Sequence, residues 1–217
     1  MQKKQKQKTK KTKNNNAKSI VMYVAISLLI AFGIFMLSYN NLSQHIEQAN
    51  QLQLIDDFFQ REDSNYEDDF ELDENQIIER NSRFIAVIEI PQINLMRGLF
   101  PIGSRYNHVD RNLEILVPSA MPNIDGGLLT IAGHSGSANI SFFRHLDRLQ
   151  EGDYVFVYYN QIKYIYEVFR IERQERNGIL EVVRNFNYTE LLLTTCDPRD
   201  DYKQLLVMAR LVWQEYY

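Results

Sequence analysis

Apolar residues follow four patterns along this chain. From Ile20 to Tyr39 they run without a single charge. Over Asn40–Gln60 they thin to a helical rhythm, Ile46, Ala49, Leu52, Ile55 and Phe59, which predicts a helix. Asp56 to Glu79 is a polar interval with eleven acids against one base, Arg61. From Arg83 onward short apolar runs alternate with turn residues, the rhythm of strands.

In that last region Phe84–Ile90 predicts a strand that Pro91 ends. Arg97–Phe100 and Glu114–Val117 are shorter candidates, and Gly127–Gly133 reads as a buried strand. Phe142, Phe143, Leu146 and Leu149 have helical spacing and predict a short helix over Ser141–Leu149. Tyr154–Tyr159 and Lys163–Ile171 flank Asn160-Gln161, a tight turn, and predict a hairpin. Glu190–Cys196 and Gln204–Val212 complete the set. The fold class is therefore mainly β, an eight-stranded closed or nearly closed barrel with one or two short helices. A domain of that size buries a core without disulfides. No internal repeat is visible.

The charge-free run has the length of a transmembrane helix, since about twenty residues rise roughly 30 Å. Eight lysines and no acid occupy residues 1–18, and no Lys or Arg follows until Arg61. The positive-inside rule then puts the N-terminus in the cytoplasm and the rest outside. A cleaved signal peptide is the rival reading. The run is long for one, and Phe35-Met36-Leu37-Ser38 is a poor cleavage site. The organisation expected is a basic cytoplasmic tail (1–19), a membrane helix (20–39), a stalk and acidic linker (40–82) and a β-barrel (83–217). The helical stretch after the anchor either continues it as a stalk or packs on the barrel. The acidic interval reads as a solvated linker, with a lid over the active site as the sharper alternative. It lacks the glycine that a calcium-binding EF-hand loop needs.

Net charge is −4, and without the eight N-terminal lysines the remainder carries −12 (−4 minus 8). No basic stripe is present to hold nucleic acid. No metal-ligating cluster or cofactor motif appears, so no metal and no cofactor is expected.

The single cysteine, Cys196, ends the run Leu191-Leu192-Leu193-Thr194-Thr195 and precedes Asp197-Pro198. One thiol on an exported chain has no internal disulfide partner. It is a buried spectator, an intermolecular crosslink or a nucleophile. Of the four histidines, His45, His108, His134 and His145, only His134 is delivered by a strand and flanked by glycines, in Ile131-Ala132-Gly133-His134-Ser135-Gly136. A strand-end His alone reads as a surface residue, and a lone Cys as a small hydrophobe. Together they suggest acyl transfer. A thiolate attacks a carbonyl, and an imidazole supplies the proton that the leaving amine needs. A thiol titrates ordinarily near 8.5, and a neighbouring imidazolium favours the thiolate. A donor must also hold the oxyanion.

At these residues the chain resembles the sortases, membrane-anchored cysteine transpeptidases of Gram-positive bacteria. The matching pieces are Thr130-Ile131-Ala132-Gly133-His134-Ser135-Gly136 and Leu193-Thr194-Thr195-Cys196. Phe142–Asp153 resembles the family's short helix and following turn, and Ile90–Leu95 its first strand and turn. The likeness runs in order over about Phe84–Val212. It implies a sortase-like barrel with Cys196 as acyl-thioester nucleophile and His134 as proton donor and acceptor. The implied substrates are secreted proteins with a C-terminal Leu-Pro-x-Thr-Gly-like sorting signal. The implied acceptor is an amine of peptidoglycan or its lipid-linked precursor.

One departure stands out. Sortases carry an arginine early in the last strand, where this chain has Gln204. Arg210, six residues further on, is about 20 Å away at strand rise. Two candidates remain for contacting substrate or oxyanion: Gln204, a weaker neutral donor, and Arg199, in the turn after the cysteine. His108 reads as a turn residue without a catalytic role. The chain lacks the second C-terminal span and the Asp-Pro-aromatic lid of pilus-building sortases. It also lacks the long late helix of the iron-acquisition type. It is thus most similar to the housekeeping or class D-like members. Two other readings stay open: a cysteine peptidase with water as acceptor, and a non-catalytic anchored barrel that binds wall or surface proteins.

Overall fold

The computed structural model describes residues 21–36, 50–60 and 82–217. These fall into two compact units, Met1–Ala49 and Asn50–Tyr217. In the first, residues 21–36 form helix α1. Among the described residues no helix is long and apolar enough to cross a membrane. The expected span of 20–39 extends past α1 at both ends, to residues outside the described ones. The basic tail and most of the acidic interval also lie outside them.

The second unit holds helix α2 (50–60) and eight strands. These are β1 (Ala86–Ile90), β2 (Leu95–Leu99), β3 (Glu114–Ile115), β4 (Leu128–Ala132), β5 (Tyr154–Tyr159), β6 (Ile162–Glu175), β7 (Glu190–Cys196) and β8 (Lys203–Tyr216). They form one sheet in the order β2-β1-β5-β6-β8-β7-β4-β3. The sheet curls around a core that includes Ile88, Leu99, Leu113, Ile131, Phe143, Val157, Tyr166, Leu193 and Val207. The architecture is the mainly β, nearly closed eight-stranded barrel that the strand rhythm predicts.

The two end strands, β2 and β3, do not pair with each other. A buried polar clamp joins their neighbourhoods instead. Arg97 Nε on β2 donates to Asn112 Oδ1 at 2.6 Å, and Asn112 Nδ2 donates to the Gly98 carbonyl at 2.7 Å. Asn112 is 1% exposed, so its amide must be satisfied from within. The clamp pins the segment leading into β3 against β2.

β7 lies between β8 and β4, and six of its seven residues are buried. That accounts for its continuous apolar run in place of strict alternation. β4 and β7 are the parallel pair, in the register Leu128↔Glu190 to Ala132↔Thr194. The β5–β6 hairpin turns at Asn160 and Gln161, both at positive φ (49° and 58°), as a two-residue type I′ turn requires.

Two expectations need correction. β6 continues past Ile171 to Glu175, because β8 is itself 14 residues long and pairs with it down to Glu175↔Lys203. The helix over Ser141–Leu149 shrinks to a single 3₁₀ turn, Leu146–Arg148. Its apolar residues Phe143, Leu146 and Leu149 are buried in the barrel core, and that packing, not helical periodicity, accounts for them. Asp56 and Asp57, the first acids of the polar interval, lie on the exposed face of α2, within the stretch that the apolar spacing predicts as helix.

α2 packs on the barrel. Ile55 is buried, and Leu54, Phe58 and Phe59 pack around Phe84, Val87 and Phe100. Phe59, Tyr158 and Tyr217 form an edge-to-face ring cluster with centroids 5.0–5.3 Å apart.

Candidate functional site

The site is built by strand register. The last paired residues of β4 and β7 are Ala132 and Thr194. His134 and Cys196 each lie two residues further along, so they leave adjacent parallel strands at the same end. Neighbouring strands run about 4.8 Å apart.

Beyond the ladder three hydrogen bonds keep the two chain segments together. Gly133 N–H donates to the Thr194 carbonyl at 3.1 Å. Thr195 Oγ1 donates to the Gly133 carbonyl at 2.6 Å. Ser135 Oγ donates to the Cys196 carbonyl at 2.7 Å. The Thr-Cys and Gly-His-Ser pieces are thus one stitched unit. Gly133 is required sterically: a Cβ there would lie 2.6 Å from Leu113 Cδ2 and 2.9 Å from Phe143 Cδ2.

His134 is partly exposed, and its Nε2 lies 3.0 Å from Asp110 Oδ1. Asp110 comes from the loop between β2 and β3, which the Asn112 clamp holds in place. Asn107 braces the same loop, exchanging side-chain hydrogen bonds with the Ile115 backbone. The hydrogen bond from His134 holds the Asp110 carboxyl below the usual carboxylate range, with His108 and the His134 charge adding to the effect. His108 itself sits in the turn, as expected, and its Nδ1 accepts from Asp110 N–H. Asp110 did not stand out in the sequence. An acid 24 positions before the histidine, in a polar loop, carries no local signature.

Cys196 is a free, partly exposed thiol. Directly after it, buried Asp197 organises the turn into β8. Its Oδ1 accepts from Arg199 N–H at 3.0 Å, and its Oδ2 accepts from Arg173 Nε at 2.7 Å. The Asp197 side chain is fully buried while Arg173 is one-third exposed, so the pair anchors the turn from inside.

The structure separates the two arginine substitutes proposed from sequence. Gln204 stands opposite Cys196 across the β7–β8 ladder, but its Nε2 donates to the Ile179 carbonyl at 2.8 Å. Arg199 turns away, its Nη2 lying 3.4 Å from Asp147 Oδ2 in an exposed pair. The guanidinium that meets the thiol belongs to Arg176, whose Nη1 donates to Sγ at 3.3 Å. Arg176 follows the last residue of β6, in a segment the sequence pattern presents as loop. Only the extension of β6 brings it beside the thiol.

Among the described residues no group of acids, histidines or cysteine could hold a metal ion. A nucleophile-grade thiol, a carboxylate-backed imidazole and a guanidinium at one rim suit acyl transfer.

Comparison with known proteins points the same way. A family model described as the sortase domain matches residues 88–212. No curated protein matches the chain. Among solved structures, Clostridium perfringens Sortase D5 is similar with TM-score 0.59 and 23% identity, over 78% of this chain and 99% of that one. Streptococcus pneumoniae Sortase C has TM-score 0.55 and 21% identity, over 62% and 72% of the two chains. Sortase A from Corynebacterium diphtheriae has TM-score 0.52 and 27% identity, over 60% of this chain and 61% of its own. The likeness to the first two is one of fold, and the family match carries the assignment further. The chain belongs to the sortase family and is a cysteine transpeptidase of that family.

Proposed function

We propose that the chain is a membrane-anchored sortase that cuts a Leu-Pro-x-Thr-Gly-like C-terminal sorting signal and passes the protein to a cell-wall amine. The observation that carries this reading is the stitched β4–β7 end, which sends Cys196 and carboxylate-backed His134 out of the same edge of the barrel.

The chemistry follows from the residues. The Cys196 thiolate attacks the Thr carbonyl carbon, forming a C–S bond and an oxyanion. Collapse breaks the C–N bond, and protonated His134 gives its proton to the departing Gly amine. In the second half an acceptor amine attacks the thioester and loses a proton to His134. The C–S bond then breaks and the thiolate returns. Asp110 at 3.0 Å orients the ring.

Secreted proteins with sorting signals would be the substrates, and peptidoglycan or its lipid-linked precursor the acceptor. The basic tail and the apolar 20–39 run support a single N-terminal anchor, with the catalytic domain outside the membrane. Absence of an Asp-Pro-aromatic lid favours a housekeeping or class D-like role over pilus assembly.

The test is cleavage of a quenched Leu-Pro-x-Thr-Gly peptide, with and without oligoglycine, using Cys196→Ala and His134→Ala as controls. Cleavage that survives Cys196→Ala would sink the nucleophile assignment. Product that never contains the added amine would replace the transpeptidase by a peptidase that uses water.

A further inference from the structure

We infer that Arg176, not a residue of the last strand, is the guanidinium that binds the oxyanion in this enzyme, and that Gln204 has become the tether of its loop. The inference rests on the acyl-transfer reading of Cys196.

The register makes the exchange of positions possible. β8 lies between β7 and β6, so Gln204 stands between Cys196 on one side and Gln174 on the other. Two residues beyond Gln174, Arg176 N–H donates to the Tyr202 carbonyl at 2.8 Å, continuing the ladder. Its side chain then crosses over β8 to reach Sγ at 3.3 Å. An arginine on β8 at position 204 would approach the same space from the neighbouring strand. A neutral residue there leaves the space to Arg176.

Residues 177–181 are folded back and held. Gln204 Nε2 binds the Ile179 carbonyl at 2.8 Å. Gln174 exchanges two hydrogen bonds with the Glu181 backbone, at 2.6 and 3.1 Å. Asn177 Oδ1 caps Ile179 N–H at 2.9 Å, and Gly178 takes the positive φ (85°) of the bend. Two glutamines on paired strands, Gln174 and Gln204, thus fix the loop that follows Arg176. Side chains locked by such supports hold a reacting geometry more closely than free loop residues do.

The oxyanion forms on the carbon bonded to Sγ, two bonds from the sulfur. A donor already touching Sγ needs little movement to reach it. Arginine offers several N–H donors, so one can hold the sulfur while another meets the developing charge.

The experiment uses the full chain. Arg176→Ala is expected to lower kcat on the sorting peptide by about 10²- to 10³-fold, with KM changing little, the pattern of a contact made in the transition state. Arg176→Lys should recover part of the loss. The second arm needs no peptide: alkylation of Cys196 by iodoacetate is compared with alkylation by neutral iodoacetamide. Arg176→Ala should cut the iodoacetate-to-iodoacetamide rate ratio by about five-fold, the pull of one charge on another at contact in water. A kcat within about three-fold of wild type, an unchanged ratio, or a loss carried by Arg199→Ala instead would overturn the assignment. If wild type cuts no sorting peptide, the substrate reading fails, and the alkylation ratio alone then decides the place of Arg176.

Discussion

Asp110 Oδ1 accepts a hydrogen bond from His134 Nε2 at 3.0 Å, although one residue is in the β2–β3 loop and the other follows β4. The contact exists because Asn112, two residues after Asp110, is clamped to β2. A structural amide and a site carboxylate therefore share one loop. The imidazole is oriented by the same segment that bridges the barrel's open seam.

The first prediction concerns that contact. Asp110 is depressed below its ordinary 3.8 chiefly by the His134 hydrogen bond. A depressed carboxylate contributes above its unfolded value and loses that contribution as pH falls through the folded one. The contact should therefore be intact at neutral pH and lost only below about pH 3.8. A carboxyl carbon NMR titration should show Asp110 titrating below 3.8, and rising toward 3.8 in His134→Ala. Asp110→Asn should lower kcat/KM by about two- to five-fold, a modest effect because the pair is solvent-exposed.

Gly133→Ala tests the close approach beneath the histidine. Its Cβ would collide with Leu113 and Phe143 in the core. Overpacking of this kind costs about 1–3 kcal/mol. A lower urea midpoint should accompany a larger fall in kcat, because His134 is the next residue and moves with its neighbour.

Asp197→Ala removes the buried acceptor of Arg173 Nε and Arg199 N–H. Arg173 is exposed enough to rehydrate, so the cost should fall below that of a fully buried pair, at about 2 kcal/mol. Chemical denaturation measures it. Asp197→Asn keeps an acceptor for the backbone N–H and should lose about half as much.

Ile55→Ala tests whether α2 is part of the folded domain. Ile55 is 6% exposed and packs with Phe84, Val87 and Phe100. A loss of about 2 kcal/mol in urea unfolding is expected, near the low end for Ile→Ala because the cluster is peripheral. A loss under about 0.5 kcal/mol, the range of ordinary surface substitutions, would mean that α2 does not pack on the barrel in solution.

What the sequence determined alone was whatever lies in contiguous residues. Alternating and continuous apolar runs marked the strands, because burial on one or both faces leaves a local pattern. Asn160-Gln161 marked the hairpin, because two residues between two strand-like runs leave room only for a tight turn. Ile131–Gly136 and Leu193–Cys196 were distinct as segments. The tertiary structure decided which side chains meet. Parallel pairing of β4 with β7 brings together the ends that carry His134 and Cys196, residues 62 positions apart. Asp110 reaches the histidine only through the Asn112 clamp. Arg176 reaches the thiol because β6 runs as far as its long partner β8 allows, and pairing length depends on the partner strand. Gln204 and Arg199 were nearer to Cys196 in sequence, but their hydrogen bonds turn them to Ile179 and Asp147. Proximity along the chain counts for little across a sheet, where the neighbours of Cys196 are set by register.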